Sequence, residues 1–431
     1  MKRNLLIILI LALCVLFAFC SCGNTANEES DENEEENEEE RKKPSKGLEY
    51  TLNEDGTYTV SGIGTCKDKN IVIPDTYEGK AVTKIGERAF GYNQTIKSVV
   101  IPDSVAVIED AAFTECIYLQ TVEFGNGITS IGNSAFFENN ALTSAVLPNS
   151  VTSIGLSAFY GCNSLIVVKI PSGVTSVGYA FGACDNLKYN EYDNGLYLGN
   201  AENPYVALVK PKNEKVVSLN VHEKTKMILS RAFYEYTAIE NITIPNGVMS
   251  IGEDAFLGCT SLKSMVIPSS VTSIENSILQ NCTSLTSVEI PNSVTSIGEG
   301  AFYNCKSLTS IKIPNSVTSI GLSAFYGCAS LKSVVIPNGV TSIGYSMFYQ
   351  CTSLESVVIP NSVTSIDGRA FYGCTSLKSV IIPISVETVG EWAFYDCKNI
   401  KIYCEAESKP SGWDYDWKNY SGSVVWDCKN Q

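Results

Sequence analysis

The stretch from Ile313 to Val335 reads I-P-N-S-V-T-S-I-G-L-S-A-F-Y-G-C-A-S-L-K-S-V-V, and its reading decides the fold. The same phrase returns along most of the chain. Its prolines keep the beat: Pro245, Pro268, Pro291, Pro314, Pro337, Pro360 and Pro383 stand 23 residues apart. An upstream block holds the same period at Pro102, Gly125, Pro148 and Pro171. A period this short and strict marks a solenoid, in which each unit buries its apolar face only against its neighbours. The Ala-Phe pair labels the rungs at Phe90, Phe113, Phe136, Phe159, Phe181, Phe233, Phe256, Phe302, Phe325, Phe371 and Phe394. Leu279 and Phe348 stand in the same column, which makes 13 rungs.

Within a rung, apolar and polar residues alternate as in a strand. Along 285–290, Leu285, Val288 and Ile290 are expected to point inward, and Thr286, Ser287 and Glu289 outward. The following proline cannot donate to the next ladder bond and closes the strand. Val294 and Ile297 mark a second short extended piece. Gly298 to Phe302 reads as a tight turn or a single helical turn, buried through Ala301 and Phe302.

The L-x-x-V-x-I spacing followed by A-F-x-x-C resembles a leucine-rich repeat (LRR) of the bacterial BspA-like type, over 47–431. The resemblance implies an α/β leucine-rich-repeat solenoid: a β-rich right-handed superhelix with a parallel sheet on its concave face. It also implies a non-catalytic surface protein that adheres to host or matrix glycoproteins or to other cells. On this reading 74–184 and 217–404 are repeat rungs.

The ends depart from the phrase. In 47–73 two alternating segments flank Asn53-Glu54-Asp55-Gly56, a hairpin signal expected to cap the first rung's open edge. At the far end, 405–431 carries Trp413, Trp417 and Trp426 in a stretch that no longer repeats, and it reads as a lid over the last rung. Pro171 to His222 is 51 residues, so one rung is followed by an insertion over 185–216. Its Asn194-Gly195 is a hairpin turn, and a hairpin-containing excursion is expected there.

The first residues stand apart from the fold. Lys2 and Arg3 precede an apolar run from Leu5 to Phe19, too short to span a bilayer comfortably. The run ends in Phe19-Cys20-Ser21-Cys22, which resembles a bacterial lipoprotein signal over 1–21 with Cys22 as the lipidated residue. Cys20 is the alternative, and an ordinary cleaved signal peptide is the plainer reading. A tether over 22–46 follows, with ten acidic residues between Glu28 and Glu40 and almost nothing apolar to bury. Together these place the folded body at a bacterial cell envelope, joined to the membrane only through the lipid.

The formal net charge is −15, with 36 acidic against 25 basic side chains from Gly47 onward. A phosphate-binding surface needs a basic stripe, so nucleic acid is not an expected partner. Of 16 cysteines, ten form one column: Cys116, Cys162, Cys184, Cys259, Cys282, Cys305, Cys328, Cys351, Cys374 and Cys397. Equivalent side chains on stacked rungs point the same way, so the column reads as small buried residues and not as disulfides or a metal site. Cys404 and Cys428 leave the column and are the candidate pair for a cap disulfide. His222 is the only histidine and takes a rung proline's place, which reads as a tolerated surface substitution. No phosphate loop or nucleophile–base pair stands out, so neither catalysis nor a cofactor is expected.

The outward strand positions carry the partner readings. Val335, Val358 and Ile381 put three consecutive apolar residues on a face that should be wet. With Lys332, Glu355 and Lys378 beside them they form a candidate protein-binding face. The plainer reading is strand propensity. In the same outward column Glu289 and Lys312 are placed to pair, and Cys404 falls at its end. A second column, Tyr303, Tyr326, Tyr349, Tyr372 and Tyr395, is the candidate glycan contact through ring faces, with intramolecular stacking as the plainer reading. A structural role in the envelope without a soluble partner is the third possibility.

Overall fold

The computed structural model describes residues 43–398, 400–418 and 423–428. The expected signal segment, Cys22 and nearly all of the expected tether lie outside the described residues. One compact unit begins at Ser45, just ahead of the Gly47 boundary. Ser45 is buried. Its N–H donates to Val72 O at 2.9 Å, and its hydroxyl accepts the Val72 N–H at 3.1 Å.

Two parallel ladders run the length of this unit. The Leu-x-Ser-Val segment forms the first, with Ser333–Val335, Ser356–Val358 and Ser379–Ile382 as neighbouring strands. The Thr-Ser-Ile segment forms the second, as in Ser342–Ile343, Ser365–Ile366 and Thr388–Val389. The Ala-Phe segment makes the third side. It is neither strand nor helix: each loop but the one at Phe181, where Tyr179 lacks it, carries a positive φ two residues before its column residue and again two after, as at Ser323 (54°) and Gly327 (67°) around Phe325. That backbone sends alternate amides toward the next rung. Phe325 N–H donates to Met347 O at 3.0 Å, and Gly327 N–H to Tyr349 O at 2.7 Å. In a regular turn all three sides are therefore hydrogen-bonded to the next, which pairs the buried backbone groups; the ladders lapse at 310–312 and after the Phe181 loop.

Two expectations change here. The described residues contain no helix, so the architecture is a β-solenoid and the α component of the expected α/β class is absent. The turns number about 16, not 13. The Ala-Phe label misses turns that lack that pair: the first turn, the inserted turn and the last.

The inserted segment is not an excursion. Gly195–Leu198 and Ala207–Pro211 pair antiparallel, and Ala207–Leu208 then pairs in parallel with Met227–Ile228. Gly199 bridges Lys169 in the first ladder. The segment is itself a turn of the stack, with Asn190–Tyr192 as an outer hairpin strand. It also divides the core. Leu198, Val206 and Ala207 join the N-terminal apolar cluster, and Tyr197 and Leu208 join the C-terminal one.

The Trp-rich end likewise continues the solenoid. Ser423–Val425 pairs in parallel with Lys401–Tyr403. Phe394 N–H donates to Trp417 O at 2.9 Å, so Trp417 stands where other turns have alanine. Trp413 and Trp417 are buried, and Trp417 meets the Phe394 ring edge-on at 6.0 Å. At the other end Glu49–Leu52 and Tyr58–Gly62 form an antiparallel hairpin whose second strand continues into the second ladder.

Candidate functional site

The phenylalanine column is the interior. Consecutive rings from Phe302 to Phe394 stack 5.0–5.4 Å apart and within 12° of parallel. Each is fully buried, which contributes about 1.5–3 kcal/mol per ring. The cysteine column packs beside it. Each thiol donates to the carbonyl of the preceding turn, Cys328 Sγ–H to Phe302 O and Cys351 Sγ–H to Phe325 O at 3.2 Å. Burial pushes the Cys116 and Cys328 thiols up to about 12 and Cys184 to about 11, so they stay protonated. These are structural thiols, not nucleophiles.

Asn139 interrupts that column. It is fully buried, and neither its amide nitrogen nor its oxygen has a hydrogen-bond partner. The candidate pair Cys404 and Cys428 are both free thiols in the structure. Cys428 N–H reaches Cys404 O at 3.1 Å. Cys404, however, points into the core as the last inward residue of its strand, while Cys428 is half-buried.

His222 is more than a tolerated substitution. Its ring stacks on Tyr205 at 4.0 Å and meets the edge of Tyr192 at 4.5 Å, both from the inserted turn. Its Nδ1 accepts the Lys224 N–H at 3.0 Å. Partial burial holds its pKa below the usual imidazole value, with Lys224 adding to the effect and Glu223 opposing it. It is a packing joint between the insertion and the following turn.

The candidate protein-binding face is where the outward reading placed it. Val335, Val358 and Ile381 are 62%, 55% and 56% exposed on adjacent strands. Val335 and Val358 stand directly opposite one another. Beside them Lys378 Nζ bonds Glu355 Oε2 at 2.6 Å, and that bond holds the Glu355 carboxyl below its usual range, with the Lys332 charge assisting. Val266, further back in the same column, is 54% exposed.

The next position after Ile381 is Tyr403, not Cys404. The 23-residue count slips to 22 there, so the period alone misplaces it. Strict alternation would have found it, since Ile402 and Cys404 are buried while Lys401 and Tyr403 face out. The stripe thus runs Val335, Val358, Ile381, Tyr403, with Val425 beside Tyr403. Glu289 and Lys312 form no ion pair among the described residues, because the 310–312 segment drops out of the ladder.

The tyrosine column stacks on itself. Ring centroids from Tyr303 to Tyr395 lie 4.4, 4.6, 4.8 and 5.4 Å apart. Each interior ring has both faces covered by its neighbours. The column presents edges and hydroxyls to a sugar, not the flat faces that ring contact requires.

A profile of the BspA type leucine-rich repeat region matches residues 66–199, 212–329 and 279–401. Among solved structures, a leucine-rich repeat protein from Bacteroides ovatus is 30% identical, covering 83% of this chain and 98% of its own, with a TM-score of 0.37. A leucine-rich cell surface protein from Faecalibacterium prausnitzii is 26% identical, covering 84% and 94%, with a TM-score of 0.34. A leucine-rich repeat protein from Eubacterium ventriosum is 24% identical, covering 76% and 93%, with a TM-score of 0.40. No curated protein matches the sequence.

Proposed function

The chain belongs to the BspA-type leucine-rich repeat family, and from that premise we propose that it is a non-catalytic protein-binding module displayed on a bacterial cell surface. One observation carries the reading: the contiguous stripe of exposed Val335, Val358 and Ile381, continued by half-buried Tyr403 and edged by the Lys378–Glu355 ion pair. Strand propensity alone favours branched side chains on any strand, whereas an apolar strip with a charged rim also fits a protein contact. The family resemblance favours an extracellular glycoprotein or another cell as the partner, hence adhesion. The stacked tyrosines weigh against a glycan held on ring faces.

The test is capture of a panel of matrix glycoproteins by the immobilised protein. Val335→Ser, Val358→Ser and Ile381→Ser together are expected to weaken capture at least tenfold while circular dichroism stays unchanged. Capture that survives all three substitutions overturns the assignment of this face. The anchor is tested separately. Lipidation at Cys22 with the acidic tether would hold the body off the membrane, and Cys22→Ser should move the protein out of the membrane fraction. Retention there would refute lipid attachment at that residue.

A further inference from the structure

In most turns a glycine follows the last residue of the second ladder, as at Gly298, Gly321, Gly344 and Gly390. The preceding turn commonly leaves no room for a side chain: a Cβ at Gly321 would lie 2.4 Å from Glu299 N, and one at Gly390 2.5 Å from Gly368 N. Four turns carry an acid in this column instead, Glu109, Glu275, Asp367 and Asp414. Three of the four are engaged by their own chain. Glu109 Oε2 accepts the Glu87 N–H at 3.1 Å, Glu275 Oε1 the Ser273 hydroxyl at 2.6 Å, and Asp414 Oδ1 the Asp416 N–H at 2.8 Å. The Asp367 carboxylate accepts no hydrogen bond and pairs with no cation among the described residues. Burial, with no donor to offset it, pushes its pKa up. Arg369 does not serve it: that guanidinium stands 4.8 Å from the Trp392 ring and 5.8 Å from the Tyr345 ring.

The local order is also reversed here, with Asp367-Gly368 in place of glycine and a side chain. Gly368 stands where the flanking turns carry Tyr345 and Glu391, and a groove of about 550 Å³ opens at this corner of the solenoid. It runs along four turns, from Tyr345 past Asp367 and Gly390 to Asp414. The Tyr345 ring closes the Asp367 end, 3.4 Å from where a Gly368 Cβ would stand. Ile366, Val389 and Trp413 are in register, so Asp367, Gly390 and Asp414 follow one another at steps of one turn. The two acids are therefore about 10 Å apart along the main chain stack, and Gly390 leaves bare backbone between them. All three amides are tied to the preceding turn, Asp367 to Ile343 O and Gly390 to Ile366 O at 2.8 Å, and Asp414 to Val389 O at 2.7 Å. The lining holds two acids and no base.

We propose that this groove binds a linear diamine, with one ammonium on Asp367 and the other on Asp414. A carboxylate drawn out of water without a partner costs free energy until a donor arrives, and a charged donor offsets that cost better than a neutral one. The Tyr345 ring beside Asp367 suits an ammonium further. One metal ion cannot bridge carboxylates two turns apart, and no group of three or more metal-ligating side chains gathers among the described residues. A methylene chain can span them across Gly390, where any side chain would stand in its way. The excess of acidic over basic side chains from Gly47 onward, 36 against 25, attracts cations to the whole surface. The spacing of Asp367 and Asp414 is what selects a cation charged at both ends. The groove lies beside the second ladder and the Val335 stripe on the first, so neither assignment depends on the other.

The test is isothermal titration calorimetry on the full-length protein in detergent, with cadaverine as the diamine and pentylamine as its singly charged counterpart. Cadaverine is expected to bind at least tenfold more tightly than pentylamine. Asp367→Asn should weaken both amines at least tenfold. Asp414→Asn should bring cadaverine down to the level of pentylamine and leave pentylamine unchanged. Both replacements keep the side-chain shape, and unchanged circular dichroism checks that the fold survives. Glu387→Gln, on the same turn as Gly390 but outside the groove, should alter neither affinity. An equal loss in that variant would mean diffuse attraction to an acidic surface and overturns the proposal, as does equal binding of the two amines or no binding at millimolar concentration. Acetyl-lysine amide, with its single side-chain ammonium, should bind no better than pentylamine. If it matches cadaverine, the groove takes a lysine of a partner polypeptide and the diamine assignment falls. Matrix-protein capture through Val335, Val358 and Ile381 should be unchanged in all of these variants.

Discussion

Phe325 and Tyr326 are neighbours in the chain, and each stands in the middle of a stacked aromatic column, yet the two columns do different work. The tyrosines stack more closely, at 4.4 and 4.6 Å around Tyr326 against 5.3 and 5.4 Å around Phe325. The phenylalanines are fully buried, and Tyr326 is only half-buried. Stacking therefore does not distinguish them; removal from water does. A flat ring repeated at the rung spacing spends its faces on its own copies, inside or outside. Short branched side chains at the same spacing cannot cover one another, which is why the Val335 stripe keeps its surface free and the tyrosine column does not.

The comparison breaks most sharply at the inner column. Phe325→Ala is expected to cost about 3–5 kcal/mol by denaturant unfolding, because it removes a filled ring position and leaves a cavity. Tyr326→Ala should cost about 1–2 kcal/mol, the worth of two ring contacts without much burial. Equal losses would show that stacking, not burial, sets the stability. Between these lies a defect of the interior itself. Asn139 occupies a cysteine position with two unsatisfied polar atoms. Asn139→Cys should raise stability by about 1–3 kcal/mol. A loss instead would mean that the amide has a partner, such as an ordered water, that the cysteine cannot replace.

The architecture was legible because identical neighbours impose it: the Pro, Ala-Phe and Cys columns need no knowledge of distant contacts. What the sequence hid lay where the copies fail. A label based on Ala-Phe could not count turns that have no such loop, so 185–216 read as an excursion although its hairpin strands also fill a place in both ladders. Trp417 was hidden in the same way, as a tryptophan in an alanine position. Tyr403 was misplaced because a one-residue deletion defeats a period but not an alternation. The apolar face itself was legible at Val335, Val358 and Ile381, since strand periodicity alone assigns them outward.

The finest separation between the two aromatic columns is in their response to alkali. Burial first, then the neighbouring Tyr303 and Tyr349 rings, push the Tyr326 hydroxyl up from 10.0 to about 12. The folded protein then holds this proton more tightly than the unfolded chain does. Between pH 10 and 12 the folded state binds more protons than the unfolded one, so stability falls as pH rises. This contribution is intact below pH 10 and lost as pH passes through about 12. Phenylalanine has no proton to lose, so Tyr326→Phe should shed less stability than the parent over that window while matching it at pH 8. The buried thiols also lose stability above pH 9, but they do so in both proteins and cancel in the difference. The measurement is the denaturation midpoint of each protein from pH 8 to 11.5. Curves that stay parallel throughout would mean that the outer column titrates as if its rings were fully solvated, and that its stacking leaves no mark on the energetics of the fold.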